Sequence, residues 1–109
     1  MPFYRGNPAD GRFVVTVVED DGRIRSLDPR RDLRNHSPTG YAWGYSGSGP
    51  AQLALAILCD ALGDDDRAEA LYQPFKDVTV ARFDGARPWV LARQKVLTIV
   101  ARLESQASS

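Results

Sequence analysis

The chain has one cysteine, one histidine and no excess of either charge, and each shortage removes a class of function. A single cysteine, Cys59, excludes an internal disulfide and a cysteine-rich zinc site, and its apolar neighbours predict a buried, unreactive thiol. One histidine, His36, without further ligands at a suitable spacing makes a poor metal site. The 14 basic and 14 acidic residues cancel, whereas a general DNA binder needs excess cations. We therefore expect no metal, no cofactor and no non-specific nucleic acid binding.

Long apolar runs are also missing. The longest apolar stretch, residues 50–62, is shorter than the roughly 20 residues that span a bilayer, and no signal peptide opens the chain. At 109 residues, with 43% apolar and 26% charged residues, the chain suits a single soluble core. We expect one globular domain over residues 1–104, a frayed tail over 105–109, no membrane contact and a cytoplasmic location.

The first half of the chain predicts two strands and a long loop. Residues 12–18 are rich in β-branched side chains and apolar on both alternations, which predicts a central strand or one covered on both faces. Asp20-Asp21-Gly22 predicts a hairpin turn into a second strand over 23–27. Residues 28–41 predict a long ordered loop, and loops of this length in a compact domain are often functional.

The second half predicts three helices and one more strand. A core helix over 50–62 should end at Gly63, and a second helix should begin at Asp64 or Asp65. Pro74 should kink or end that second helix, because its ring removes a hydrogen bond. A third strand over 78–83 and a last helix after Trp89 complete the order β-β-α-α-β-α. This order predicts an α+β fold, with a small antiparallel sheet and helices packed on one face.

The most informative pattern, YAWGYSGSGPAQLALAIL, covers residues 41–58 and takes an aromatic segment through a glycine-rich turn into a helix. We expect Gly49 to be the N-cap and Gln52 to reach back to the cap amide. Amides of Gly47, Ser48 and Gly49 at the positive end of the helix could bind an anion. The pattern is not a P-loop, because the Lys-Ser/Thr pair of that motif is absent, and it is not a dinucleotide fingerprint, because its glycines have the wrong spacing. A helix cap and an anion site both remain open.

The aromatic residues before the turn offer a second candidate site. Tyr41, Trp43 and Tyr45 alternate with small residues, so their rings would share one face of an extended segment. Such a face could close the core, stack a base or bind a partner. No acid is placed to orient His36 beside the nearby serines, so we expect no catalytic residues and a His36 that binds the loop backbone. The candidate ligand- or partner-binding residues are Arg30, Arg31, Arg34, His36, Tyr41, Trp43, Tyr45, Gly47, Ser48 and Gly49.

These residues also carry a family resemblance. Asn35-His36-Ser37-Pro38 and the segment 40–56 resemble the signature NHSP…WGYxGSGPAQLALA of a family of small bacterial and phage proteins classed as a domain of unknown function. The similarity extends from Tyr4-Arg5-Gly6 to the segment at Trp89, with a departure at Pro74. It implies a prokaryotic or viral accessory protein and brings no activity.

The leading hypothesis is therefore a non-enzymatic interaction protein, a phage or mobile-element accessory factor that binds a host or viral protein. The alternative is a small-ligand or anion-binding domain centred on His36, Gly47, Ser48 and Gly49. A pocket at the start of the first helix would favour the ligand. A flat exposed patch of aromatic rings and arginines would favour the protein partner.

Overall fold

A computed structural model describes residues 1–8, 13–37 and 40–107 of the chain. Arg12, Pro38 and the last two serines, which fall in the predicted strand, loop and tail, lie outside the described residues. The described elements are the strands β1 (Phe3–Asn7), β2 (Val14–Val18), β3 (Ile24–Ser26) and β4 (Trp89–Ala92), and the helices α1 (Ser48–Leu62), α2 (Asp65–Val78) and α3 (Arg93–Ala107). A 3-10 turn, Val80–Arg82, follows α2. The predicted α+β class is confirmed, in the order β-β-β-α-α-β-α.

The four strands form one antiparallel sheet in the order β3-β2-β1-β4. The predicted hairpin joins β2 to β3 as expected. The sequence analysis missed two strands, the central strand β1 and the edge strand β4, whose residues 89–92 were expected only to lead into the last helix. The residues of β1, FYRGN, include types that are depleted in strands, so its conformation is set by pairing with β2 on one side and β4 on the other.

One face of the sheet is buried and the other is not. In β2 the side chains of Val15 and Val17 are buried, whereas that of Val14 is 49% exposed. The central position predicted for this strand is confirmed, but cover on both faces is wrong. The reason is that the helices form a single layer, so a second apolar face has nothing to pack against.

Helix α1 runs through the core, with 12 of its 15 residues buried. It ends at Gly63, as predicted, where φ of 63° lies in the left-handed region that glycine adopts easily. It begins two residues earlier than predicted, because Gly47 and not Gly49 is the N-cap. The N–H groups of the first helical turn have no partner within the helix, so a residue that lacks an N–H is tolerated there. Pro50 therefore fits the third helical position as well as the first.

Helix α2 begins as predicted, since the Asp64 carboxylate accepts a hydrogen bond from the N–H of Arg67 at 3.2 Å. It does not end at Pro74, and continues to Val78. Pro74 cannot donate a hydrogen bond to the carbonyl of Ala70. Both residues are exposed, so this carbonyl lies on the solvent side of the helix, where the missing hydrogen bond costs little. Its buried face consists of four apolar residues at the spacing i, i+3, i+4 and i+7, namely Ala68, Leu71, Tyr72 and Phe75.

The predicted strand over 78–83 is wrong. Val78 is the last residue of α2, and residues 80–82 form the 3-10 turn. Fully buried Val80 anchors this turn, and an apolar alternation as short as this one fits a turn as well as a strand.

The last helix completes a single core shared by the sheet and all three helices. Val96 and Val100 of α3 are buried, and the helix continues to Ala107, through three residues of the predicted tail. Among the described residues, no helix combines the length and apolarity that crossing a membrane requires.

Candidate functional site

The side chain of Gln52, fully buried in α1, holds the loop that precedes the helix. Its Oε1 accepts hydrogen bonds from the N–H groups of His36 at 2.8 Å and Ser37 at 3.2 Å. Its Nε2 donates to the carbonyls of Pro29 at 2.6 Å and Arg34 at 2.9 Å. An amide side chain has two donors and two acceptor positions, so all four are used. We term these contacts the Gln52 clamp. The expected capping box is wrong, because Gln52 binds the loop and not the cap.

The ring of His36 contacts α2, and it makes no hydrogen bond to the glycine-rich turn among the described residues. Its Nε2 lies 2.7 Å from the hydroxyl of Tyr72, and the two ring centroids are 5.5 Å apart. The backbone of His36 belongs to the Gln52 clamp. The two contacts attach the loop that precedes α1 to both α1 and α2. Tyr72 could not be identified from the sequence as the partner of His36, because it lies 36 residues away.

The three aromatic residues do not share one exposed face. Trp43 is buried in the core, edge-on to Phe13 and Trp89 at centroid distances of 4.5 and 5.5 Å. The hydroxyl of Tyr41 donates to the carbonyl of Leu27 at 2.6 Å, and burial raises the pKa of this tyrosine. Tyr45 is 53% exposed. The rings of Trp43 and Tyr45 separate because Gly44 between these two residues has φ of +87°, which breaks the extended backbone.

Close packing explains two glycines of the pattern. Gly44 donates its N–H to the carbonyl of Val80 at 3.1 Å, and a Cβ at this position would lie 2.7 Å from the backbone of Gly85. A Cβ on buried Gly49 would lie 2.6 Å from the Cβ of Ala42. These glycines let two backbone segments approach each other, and this requirement holds whether or not a ligand binds.

The helix start offers few donors to an anion. Gly47, the N-cap, has no side chain to contribute, and the ring of Tyr45 packs against it. Pro50 has no N–H, and the N–H of Ala51 donates to the carbonyl of Gly47 at 3.0 Å. The N–H groups of Gly47, Ser48 and Gly49 therefore remain, without a hydrogen-bond partner among the described residues, and that of Gly49 belongs to a buried residue.

Gly49→Ala should destabilise the protein by about 2 kcal/mol, because the added methyl overpacks the contact with Ala42. The matched control is Ser48→Ala, at an exposed neighbouring position, which should change the free energy of unfolding by less than about 0.5 kcal/mol. Urea denaturation of both variants measures the difference. Equal stability of Gly49→Ala and the wild type would show that the close contact is not a constraint.

Nucleotides and sugar phosphates should leave the melting temperature unchanged, because the helix start presents so few donors. An anion site would instead add about 2.7 kcal/mol of stability at a hundredfold excess of ligand over Kd. A thermal-shift screen of the wild type and Ser48→Asp makes the comparison, since the added carboxylate would repel an anion there. A clear stabilisation that Ser48→Asp abolishes would establish the anion site and refute the simple cap.

The candidate arginines are engaged within the protein. Arg30 binds Asp65 through two hydrogen bonds of 2.8 and 3.0 Å and Asp32 through two of 3.0 Å. These hydrogen bonds hold the pKa of both carboxyls below the ordinary value. Arg34 lies 3.6 Å from the carboxylate of Glu69. Arg31 donates to the carbonyl of residue 37 at 3.2 Å. The cluster therefore presents paired charges rather than an open basic patch.

Random duplex DNA should not bind with micromolar or better affinity at physiological salt. The net charge is zero and two of the three candidate arginines already face carboxylates, so few phosphates could be neutralised. Fluorescence anisotropy of a labelled duplex, titrated with protein at two salt concentrations, measures this. Micromolar binding that weakens steeply with salt would contradict the prediction.

A cavity of about 300 Å³ lies beside Cys59, between α1 and the loop, with Asp28, Arg30 and Asp60 among its lining residues. Burial raises the pKa of the Cys59 thiol to about 11, so little of the nucleophilic thiolate exists at neutral pH. Within the described ranges, no three histidine, cysteine or acidic side chains come together as metal ligands would. The cavity therefore carries no evident chemistry.

The feature that the sequence analysis missed is the uncovered side of the sheet. The strand register places ten side chains on this side, and none of the ten is acidic. Val14 is 49%, Ile24 57% and Val90 65% exposed. We term this surface the open sheet face; its apolar residues are Phe3, Val14, Val18, Ile24, Val90 and Ala92, and its polar residues are Arg5, Asn7, Thr16 and Ser26.

Comparison with known proteins gives a family without an activity. The sequence model of a family of unknown function (DUF6166) matches residues 4–102. No curated protein matches the chain, and no solved structure matches it either.

Proposed function

Because the chain belongs to this family of unknown function, we propose its role from its own surface: it is a non-enzymatic interaction protein that binds another protein through the open sheet face. The observation that carries the proposal is the composition of this face, six apolar residues among ten contiguous strand positions. Single exposed apolar side chains are ordinary on protein surfaces, but a contiguous patch is typical of an interaction site.

The charge of the face indicates the chemistry of the partner. Arg5 lies on central strand β1, with Val90 opposite it on one neighbouring strand and Thr16 on the other. Arg5 has no hydrogen bond or ion pair with any residue that the structure describes. An arginine covered by a partner must gain a counter-charge, since burying an unpaired charge is costly. The partner should therefore present an apolar surface with a carboxylate near its centre.

A second copy of the chain fits this face poorly. In a two-fold symmetric pair the same patch faces itself, so a residue at the centre of the patch meets its own equivalent. Arg5 would then lie opposite the Arg5 of the other copy, and like charges in an interface are unfavourable. This favours a different protein as the partner.

The biological setting is part of the proposal. The resemblance to bacterial and phage proteins supports a phage or mobile-element accessory factor, and the partner of such a factor is a host or viral protein. A reaction needs mutually positioned groups, and among the described residues the hydrogen bonds of His36 go to Tyr72 and the Gln52 clamp, which are structural contacts.

Comparative capture tests the proposal. The wild type, Arg5→Glu and Arg82→Glu are immobilised and exposed to lysates of bacterial cells with and without an integrated phage, and bound proteins are quantified by mass spectrometry. Arg82 is an exposed residue of the 3-10 turn, so its variant makes the same charge change outside the open sheet face. The expected partner is retained by Arg82→Glu and reduced at least about tenfold by Arg5→Glu. Identical capture by all three proteins would refute binding through this face.

A further inference from the structure

Helix α3 has a second apolar stripe beside the one that enters the core. Ile99 and Leu103 are half-buried, and Lys95 and Arg102 flank them. Their spacing of i, i+4, i+7 and i+8 places all four on one side of the helix. Val78, the last residue of α2, is 46% exposed and lines the same depression, whose volume is about 370 Å³. We term this depression the α3 groove.

The charges on the two flanks of α3 differ. On the flank away from the groove, Arg67 of α2 donates two hydrogen bonds, of 2.7 and 3.1 Å, to Glu104 of α3 and so links the two helices. On the groove flank, Lys95 and Arg102 make no hydrogen bond or ion pair with any described residue. None of the described residues that line the groove is acidic. The groove therefore combines an apolar floor with two cations that have no described partner and lie about 10 Å apart along the helix axis.

We infer that the α3 groove binds an acidic amphipathic helix of a protein partner. The apolar side chains of that helix would cover Val78, Ile99 and Leu103, and its carboxylates would face Lys95 and Arg102. An apolar face laid into a groove is a common way of recognising helices, and complementary charge sets the specificity. The inference goes beyond the proposed function, because the groove lies in the helix layer and needs nothing from the open sheet face.

A second copy of the chain is a poor occupant of the groove. If two copies met through their α3 grooves, the cations of one would face the same cations of the other. The complementary occupant has to bring the negative charge that the groove lacks.

The test uses a synthetic stapled helix of about 14 residues, since unstapled helices of that length are marginal in water. The fluorescent peptide carries leucines on one side and glutamates seven residues apart, and its matched control has lysines for the glutamates. The glutamate peptide should bind the full chain, with the Kd raised about tenfold by Lys95→Glu combined with Arg102→Glu. Arg5→Glu should leave the Kd unchanged, and the lysine peptide should bind the double variant better than the wild type.

Several outcomes would overturn the inference. They are absence of binding by the glutamate peptide, equal binding of the two peptides, and a Kd that the double variant does not change. Cosedimentation with phosphatidylserine vesicles in place of peptide binding would assign the cations to a membrane surface instead. Both substituted side chains are exposed, so the melting temperature of the double variant should match that of the wild type. Arg5 lies outside the groove, so a failure of the peptide experiment leaves the proposed function intact. If Arg5→Glu loses the captured partner but still binds the glutamate peptide, the open sheet face and the α3 groove are separate sites.

Discussion

Leu55→Asp is expected to leave the chain unfolded at room temperature. Leu55 is fully buried in α1, the helix that runs through the core. An unpaired carboxylate in such a place costs several kcal/mol, which is comparable to the roughly 5–15 kcal/mol stability of a whole domain. Far-UV circular dichroism and a thermal melt measure the outcome.

The matched control for this prediction is Val90→Asp. The same carboxylate is then placed at a position that is 65% exposed, where water solvates it, so the fold should persist. A soluble Leu55→Asp protein with the melting temperature of the wild type would contradict the central place of α1 in the core.

Gln52→Leu is expected to destabilise the protein by about 3–5 kcal/mol. The change removes all four hydrogen bonds of the Gln52 clamp, and the four backbone groups of the loop lose their partner. Each buried polar group left unpaired costs about 1–3 kcal/mol, and part of the exposed loop can recover hydrogen bonds with water. Urea denaturation with an unchanged m-value would report the loss.

Gln73→Leu provides the matched control. Gln73 is exposed on α2 and accepts a hydrogen bond from Lys76 at 3.0 Å, so the same chemical change should cost less than about 0.5 kcal/mol. If Gln52→Leu were no less stable than Gln73→Leu, the loop would not depend on the clamp.

The parts of the fold that the sequence predicts well are local. Gly63 and Asp64 mark a helix end and a helix start through contacts within a few residues, and the hairpin at Asp20-Asp21-Gly22 is equally local. Strand β1 could not be predicted, because FYRGN is held by partners on both sides that are distant in the chain. The predicted end of α2 at Pro74 is wrong for a similar reason, because whether a helix tolerates a proline depends on which side of the helix is exposed.

The same difference between local and distant contacts decides which parts of the candidate site could be predicted. The glycine-rich turn could be recognised from its residues, but the role of Gln52 depends on backbone groups 15–23 positions away. The aromatic alternation predicted a shared face, and Gly44 breaks that face through its positive φ. The open sheet face needs β1 and β4 side by side, so without these two strands only the alternation of β2 could have indicated it.

Photo-crosslinking within cells tests the central claim most directly. A benzophenone amino acid replaces either Val90, on the open sheet face, or Tyr45, the exposed ring beside the glycine-rich turn. The proposed function predicts a discrete protein adduct from position 90 that Arg5→Glu removes, and no such adduct from position 45. An adduct from position 45 with none from position 90 would place the partner at the turn and contradict the account.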